Sequence, residues 1–469
     1  MRSRPALVVS VLAACGLAVS LMQTLVVPLL PRFPQLLGAS PSTVTWLVTA
    51  TLVAGAVCAP MLGRLGDMYG KRRMLVVALA LVAVGSALGA VAPDVGTLIV
   101  ARALQGASLG VIPLGISIMR DVLPEGRVGS GVALMSSSLG IGGAIGLPLT
   151  GIVAEQASWR WLFGGAAVLG ALLVVGVLRW VDESPVRAGG RFDLPGAVGL
   201  AVALVCLLLA ISKGTEWGAL TAFALLGAAV VVFGLWGRFE LRSRSPMVDL
   251  RVSARPAVLW TNVASVLIGF AMFAGFLVTT QVLQAPVATG YGFGLSLVLA
   301  GLVLLPIGGA MGVFSPVSAR LSARFGARTT LLLGTSVLIV GNAGMATIPD
   351  TVVLIMIATT VSAIGAALAY SALPLLIMDA VPATETAAAN SLNALMRMLG
   401  TSSCSAVAAA VVTAMTQEVG GRTLPSASAY TVVFLAAAGA ALLATLITAA
   451  TPRRSAARSA PVAEVYAAR

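Results

Sequence analysis

The sequence predicts an all-α membrane protein: two six-helix bundles related by pseudo-two-fold symmetry, plus a central two-helix insertion, for fourteen transmembrane helices. Three observations carry that expectation. Of 469 residues 59% are hydrophobic and only 10% charged, against about 25% charged in a soluble domain. The apolar residues fall in runs of about twenty, the length that crosses ~30 Å of hydrocarbon at ~1.5 Å per residue. A short pattern also recurs about halfway along the chain. A barrel is excluded because stretches such as Met74 to Ala92 are apolar on every side rather than alternating.

Taken in order, the first six runs lie at about 6–30, 43–63, 74–92, 96–119, 130–154 and 160–180. Arg2 and Arg4 precede Leu12-Ala13-Ala14-Cys15, which resembles a lipoprotein cleavage box, but the run stays apolar to Leu30, as a retained helix does. Two shorter runs follow at about 195–212 and 218–237, then a charged linker from Arg238 to Arg255. The last six are at about 257–284, 293–316, 329–348, 352–378, 388–416 and 429–450, followed by a polar, arginine-rich tail expected to be disordered. The expected divisions are an N-terminal bundle over 1–185, a central linker with two helices over 186–245, a C-terminal bundle over 246–452 and a cytoplasmic tail over 453–469.

The net charge of +13 comes from residues scattered over short interhelical loops rather than one face, so no nucleic-acid partner is implied. With an even number of spans, 23 of the 29 basic residues fall on the side of the termini. Arg32, Arg160, Lys213 and Arg422 fall opposite, and Arg102 and Arg397 lie within helices. The positive-inside rule then predicts a multi-pass protein of the inner (plasma) membrane with both termini cytoplasmic. Cys15, Cys58, Cys206 and Cys404 stand singly, without metal-ligand or redox spacing. Histidine is absent, which removes histidine metal sites, serine-histidine triads and imidazole relays. No convergent nucleophile or acid-base pair is visible, so no enzyme, metal or cofactor is expected.

Arg64-Leu65, Tyr69-Gly70, Arg72 and Leu75 recur 256 residues later as Arg320-Leu321, Phe325-Gly326, Arg328 and Leu331. Asp121 and Pro124 recur 258 residues later as Asp379 and Pro382. Helix two thus maps onto helix ten. Parallel repeats related by an axis along the membrane normal are a construction of transporters that rock about a midplane site.

These residues resemble the major facilitator superfamily, and the central hairpin is similar to its fourteen-helix drug:proton antiporter branch. Gly63-Arg64-Leu65-Gly66-Asp67-Met68-Tyr69-Gly70-Lys71-Arg72 resembles the family's cytoplasmic loop between helices two and three, with Met68 where a basic residue is usual. The resemblance implies a gating loop of Gly63, Arg64, Gly66, Asp67, Gly70 and Arg72. Its glycines permit a tight reversal, and Asp67 can accept hydrogen bonds from the amino end of a neighbouring helix. Arg102-Ala103-Leu104-Gln105-Gly106 is similar to the family's second motif, and an arginine at a helix centre costs ~2.5 to 3.5 kcal/mol unless it finds a polar cavity or partner. In helix five Gly142, Gly146, Pro148 and Gly151 resemble the antiporter motif, although Leu147 separates glycine from proline; small residues four apart let backbones approach. Ser158-Trp159-Arg160-Trp161 and Gly214-Thr215-Glu216-Trp217-Gly218 also resemble the branch and fit interfacial anchors.

In helix thirteen Asn393 and Arg397 share a face four residues apart, so the amide can orient the guanidinium. Leu21-Met22-Gln23-Thr24 matches the family segment that normally carries an acid, and Met22 stands in its place. All sixteen acidic residues fall in loops or at helix ends, which puts proton coupling in doubt. The expected path residues are Gln23, Arg102, Gln105, Asn393 and Arg397. The reading is a transporter, a monomer among lipids, that exports a small amphipathic, neutral or anionic compound such as a drug or antibiotic by alternating access. Uptake or facilitated passage of a metabolite is the alternative, and a non-transporting sensor or scaffold the second.

Overall fold

The computed structural model describes residues 5–451 except 27, 28, 31 and 244, so the tail expected over 453–469 lies outside the described residues. Among these, fourteen helices are long and apolar enough to span a membrane. They are α1 (Pro5–Thr24), α2 (Ser42–Tyr69), α3 (Lys71–Ala90), α4 (Val95–Val122), α5 (Gly126–Val153), α6 (Arg160–Trp180) and α7 (Leu194–Gly214). The rest are α8 (Ala219–Glu240), α9 (Pro256–Gln284), α10 (Val298–Phe325), α11 (Ala327–Ala346), α12 (Val352–Ala380), α13 (Ala383–Ala414) and α14 (Ala427–Ala450). The α2–α3 and α10–α11 turns, rich in arginine, define a basic face.

Three local differences from the sequence expectation have physical causes. Helix α1 stops at Thr24, not near residue 30, in a stretch where prolines cannot donate to a preceding turn. The expected loop from Gly63 is helical through Tyr69; the chain reverses only at Gly70, whose φ of 121° suits glycine. A β-hairpin, β1 (Thr416–Val419) with β2 (Arg422–Pro425), joins α13 to α14, turned by Gly420 and Gly421 at positive φ. Tyr291 donates to the Pro425 carbonyl at 2.7 Å and ties this hairpin to the α9–α10 loop. Outside the helices, Asp94 caps α4 through the Thr97 amide and hydroxyl, which hold its carboxyl below the usual range.

Each bundle has its own apolar core, and a third cluster joins α2, α7 and α13. In lipid there is no hydrophobic drive between helices, so close backbone approach at small residues carries the packing. A Cβ on Gly269 would collide with the Arg397 carbonyl oxygen, and one on Gly341 with the Ser362 amide nitrogen. The repeat is visible in two arginine staples. Arg72 donates to the carbonyls of Val177 and Leu178 at the end of α6. Arg328 donates to those of Thr448 and Ala449, at 3.0 and 2.7 Å, at the end of α14. Each places a cation at the negative end of a helix dipole.

The central hairpin sits outside this frame. Helix α7 covers the α2–α13 seam, while α8 packs on α7 and buries only Ala229 and Glu240. Lys213, which the sequence places opposite the termini, is 1% exposed. Its ammonium donates to the Ser42 carbonyl at 3.2 Å, to Thr45 Oγ1 and to Glu216 at 2.7 Å, beside the Trp46 ring.

The helix-five glycines face α1 and α10. Gly142 abuts the backbone of α1, where a Cβ would lie 2.8 Å from the Leu17 oxygen and 2.9 Å from the Leu21 nitrogen; at Gly146 the obstacle is the Thr24 hydroxyl. Gly142→Ala is therefore expected to cost about 1–3 kcal/mol as overpacking. The melting temperature of the purified protein should fall, and no side-chain truncation on α1 should restore it. Gly146→Ala should be rescued by Thr24→Ala, because that deletes the obstructing atoms; failure of the rescue would show that the α1 backbone is the obstacle there too.

Candidate functional site

Asp67 is the centre of the basic-face seam between the bundles. It lies in the last turn of α2, fully buried, and its carboxylate reaches the first turn of α13 in the other bundle. The Ala387 amide donates to Oδ1 at 3.2 Å and the Ala388 amide to Oδ2 at 2.8 Å. Unpaired amides and the positive end of the helix dipole make this an anion site. Lys71, also fully buried, lies 3.5 Å from Asp67 and 2.5 Å from Asp121 on α4. Ser184 donates to the same Asp121 oxygen at 2.5 Å. Arg120 makes a second crossing, donating to Thr386 Oγ1 at 2.6 Å.

Glycine makes that approach possible. A Cβ on Gly63 would lie 2.8 Å from the Ala387 oxygen and collide with the Ser391 hydroxyl; one on Gly70 would run into the Glu183 carboxylate. Glu183 accepts from the Arg72 and Arg73 amides at 3.0 and 3.3 Å, capping α3. Arg64 borders a small cavity with Glu385 and Asp249 beside this seam. The second seam, α5 on α10, is apolar: Gly140 lies against Met311, Gly308 against Ala144, Gly301 against Pro148 and Gly151 against Val298.

The midplane candidates fall into two separate groups. Arg102, 3% exposed, is closed inside the N-terminal bundle. Its Nε donates to the Leu47 carbonyl at 2.9 Å, and its Nη1 to Gln105 Oε1 at 2.8 Å and to the Met22 carbonyl at 3.4 Å. Gln105 in turn donates to Ser86 at 2.8 Å. The guanidinium thus bolts α1, α2 and α4 together through neutral acceptors; the sequence expected it to line the path, and in this structure it is enclosed in the N-terminal bundle. Arg397 is half-buried on α13: Nη1 donates to Asn393 Oδ1 at 2.7 Å, and the guanidinium lies 5.2 Å from the Tyr370 ring centroid. Asn393 donates to Asn262 at 3.0 Å and to Ser265 at 2.7 Å. No carboxylate lies within salt-bridge distance of either arginine among the described residues. Gln23 belongs to neither group, and its Nε2 is buried without a partner.

Sequence reasoning did not single out Lys71, Arg120, Asn262, Ser265 or Tyr370 as partners. The recurrence of Asp121 was the one available signal, since a repeated acid beside a basic turn invites a pair. The aromatic anchors divide: Trp161 is 72% exposed, whereas Trp159 is buried edge-on against Phe33 and Phe163.

The sequence model of the Major Facilitator Superfamily matches residues 12–404 and again 311–465. The chain is 26% identical over 418 residues to Multidrug resistance protein Stp of Mycobacterium tuberculosis, covering 88% of this chain and 77% of that protein. It is 30% identical over 352 residues to the Tetracenomycin C resistance and export protein of Streptomyces glaucescens, covering 74% and 64%. It is also 30% identical over 349 residues to the Puromycin resistance protein pur8 of Streptomyces alboniger, covering 73% and 68%. The crystal structure of the human organic anion transporter MFSD10 (TETRAN) superposes with a TM-score of 0.68 over 95% of this chain and 99% of that one; at 18% identity this speaks to the fold alone.

The seam yields a direct test. Asp67→Asn keeps the size but turns one oxygen into a donor facing a donor amide. Losing charge-assisted bonds worth about 1.5–3 kcal/mol should raise the open population roughly tenfold to a hundredfold. In a background without the four native cysteines, Ser391→Cys should resist N-ethylmaleimide while Asp67 is intact. Adding Asp67→Asn should speed its labelling by a similar factor. Equal labelling rates would reduce Asp67 to a fixed structural contact.

Proposed function

The chain belongs to the Major Facilitator Superfamily, a transport protein rather than an enzyme, and we propose that it exports a small amphipathic organic compound by alternating access. The observation that carries this reading is Asp67: one buried carboxylate bridges the two bundles on one face through two backbone amides, beside the Arg120–Thr386 contact. The opposing seam is packed by glycine and apolar side chains and, among the described residues, has no comparable bond to break. One seam can therefore open while the other closes. The basic face is read as cytoplasmic, where loop arginine and lysine are retained, which puts both termini inside the cell, and the transporter acts as a monomer.

The substrate class follows from charge. The relatives' names, multidrug resistance, tetracenomycin C resistance and export, and puromycin resistance, support export of drug-like molecules. Of the two intramembrane arginines only Arg397 keeps accessible surface, and it is oriented by Asn393 and Tyr370. A polycation would need a buried carboxylate partner, whereas a neutral or anionic acceptor-rich compound can take the guanidinium. With Met22 in helix one, the cycle is assigned no coupling proton in α1 and no cofactor.

Purified protein in proteoliposomes, assayed with a panel of neutral, anionic and cationic amphiphiles with and without a pH gradient, tests this. Flux of neutral or anionic members is expected, with Arg397→Lys retaining part of it and Arg397→Met almost none at an unchanged melting temperature. Arg102→Met should instead lower the melting temperature, because it strands the buried Gln105 Oε1 at about 1–3 kcal/mol. Full flux by Arg397→Met, or flux confined to cations, would sink the substrate assignment.

A further inference from the structure

At the basic-face end of the central hairpin two carboxyl groups meet. Glu240, the last residue of α8, is 2% exposed. Its Oε2 accepts the Met247 amide at 3.0 Å, and the Val248 amide and Trp236 indole also face the carboxylate, while among the described residues Oε1 is buried with no hydrogen-bond partner. Asp193 caps α7: Oδ1 accepts the Gly196 amide at 2.8 Å, and Oδ2 accepts the Ser243 hydroxyl at 3.1 Å. A methyl on Gly196 would lie 2.6 Å from Glu240 Oε1 and 2.8 Å from Asp193 Oδ2, so both oxygens are aimed at one small space. Trp236 donates to the Gly196 carbonyl at 2.8 Å and closes one side.

Among the described residues, the basic side chains nearby do not fill that space. Arg191, Arg238 and Arg242 are exposed, and Arg251 donates Nη2 to the Leu241 carbonyl at 3.0 Å. Asp249 accepts from the Arg251 and Val252 amides with Oδ1. To the adjoining cluster α2 and α13 contribute apolar Ala56, Leu395 and Met398, and their charged groups beside the linker are Arg64 and Glu385, which border the cavity at Met247 and Asp249.

Two ionised carboxylates so placed would repel, and the buried Oε1 would also lose its hydration without replacement. A proton on Oε1 would remove both penalties: one charge remains, and the new hydroxyl faces the same small space as Asp193 Oδ2. We propose that Glu240 and Asp193 form a proton-binding site in which one proton is shared between the two carboxyl groups. A metal ion is the poorer occupant, since two carboxylates and one hydroxyl fall short of the six or more oxygens a hard divalent cation takes. The second Glu240 oxygen holds the linker, and Met247 and Val248 of that linker pack into the α2–α7–α13 cluster. The carboxyl group that takes the proton therefore also holds the linker segment packed against this cluster.

The test uses the full chain purified in detergent, with infrared spectra and melting temperature followed across pH. The wild type should show a protonated carboxyl band at neutral pH that is missing in Glu240→Gln. The folded state holds the proton, so wild-type stability should be complete on the acid side and fall as the band titrates away. Glu240→Gln should melt like the wild type in acid and show no such fall. Asp193→Asn keeps the cap but removes the charge, and should move the titration toward acid by roughly one pH unit or more; it serves also if Glu240→Gln does not fold. A wild type without the extra band at neutral pH overturns the proposal. So does a melting temperature raised by sodium or calcium chloride over choline chloride and lost in Glu240→Gln, which would put a metal ion in the proton's place.

Discussion

The arrangement of the two bundles depends on one desolvated charge. A fully buried carboxylate is costly unless each lone pair is met, and Asp67 finds its two amides on a helix of the other bundle. Lys71 cannot serve Asp67 alone, because it lies closer to Asp121. The N-terminal bundle by itself therefore leaves Asp67 under-satisfied, and the C-terminal bundle supplies what is missing. A contact of this kind is strong when formed and has few partly formed states, which is what a two-position machine requires.

The two repeats have diverged unequally around this charge. The staples Arg72 and Arg328 are retained in both, each on the carbonyls of a helix end. At the 256-residue offset the positions matching Asp67 and Lys71 are Ala323 and Ala327. One repeat thus carries the charge and the other carries the helix end that receives it. Two copies of the same buried pair would double the desolvation penalty without adding a second seam on that face.

Much of this was legible in the sequence. The number of spans, the central hairpin and the repeat follow from apolar run length and spacing, which the lipid enforces residue by residue. The Asp67 region stood out because an acid among glycines and bases is rare in a chain with 10% charged residues. Its partner did not, since Ala387 and Ala388 bind through backbone amides that no side-chain pattern announces. Arg102 was legible as a residue needing partners but not as one whose partners are neutral carbonyls inside a single bundle. The helical extension through Gly63 and Gly66 was hidden because glycine in a turn and glycine in a tight helix contact read alike.

Helix α8 is held at one end by Glu240 and along one side by α7, and its remaining surface, with Leu220, Phe223, Val230 and Leu235 outward, meets no other helix of the described chain. Such a surface has no shape to match, only an oily solvent to dissolve in. Its sequence is accordingly free to drift among apolar residues, and substitutions there carry little information about the machine. Variation that is tolerated in α8 but not in α7 would mark where the transporter ends and its packing into the bilayer begins.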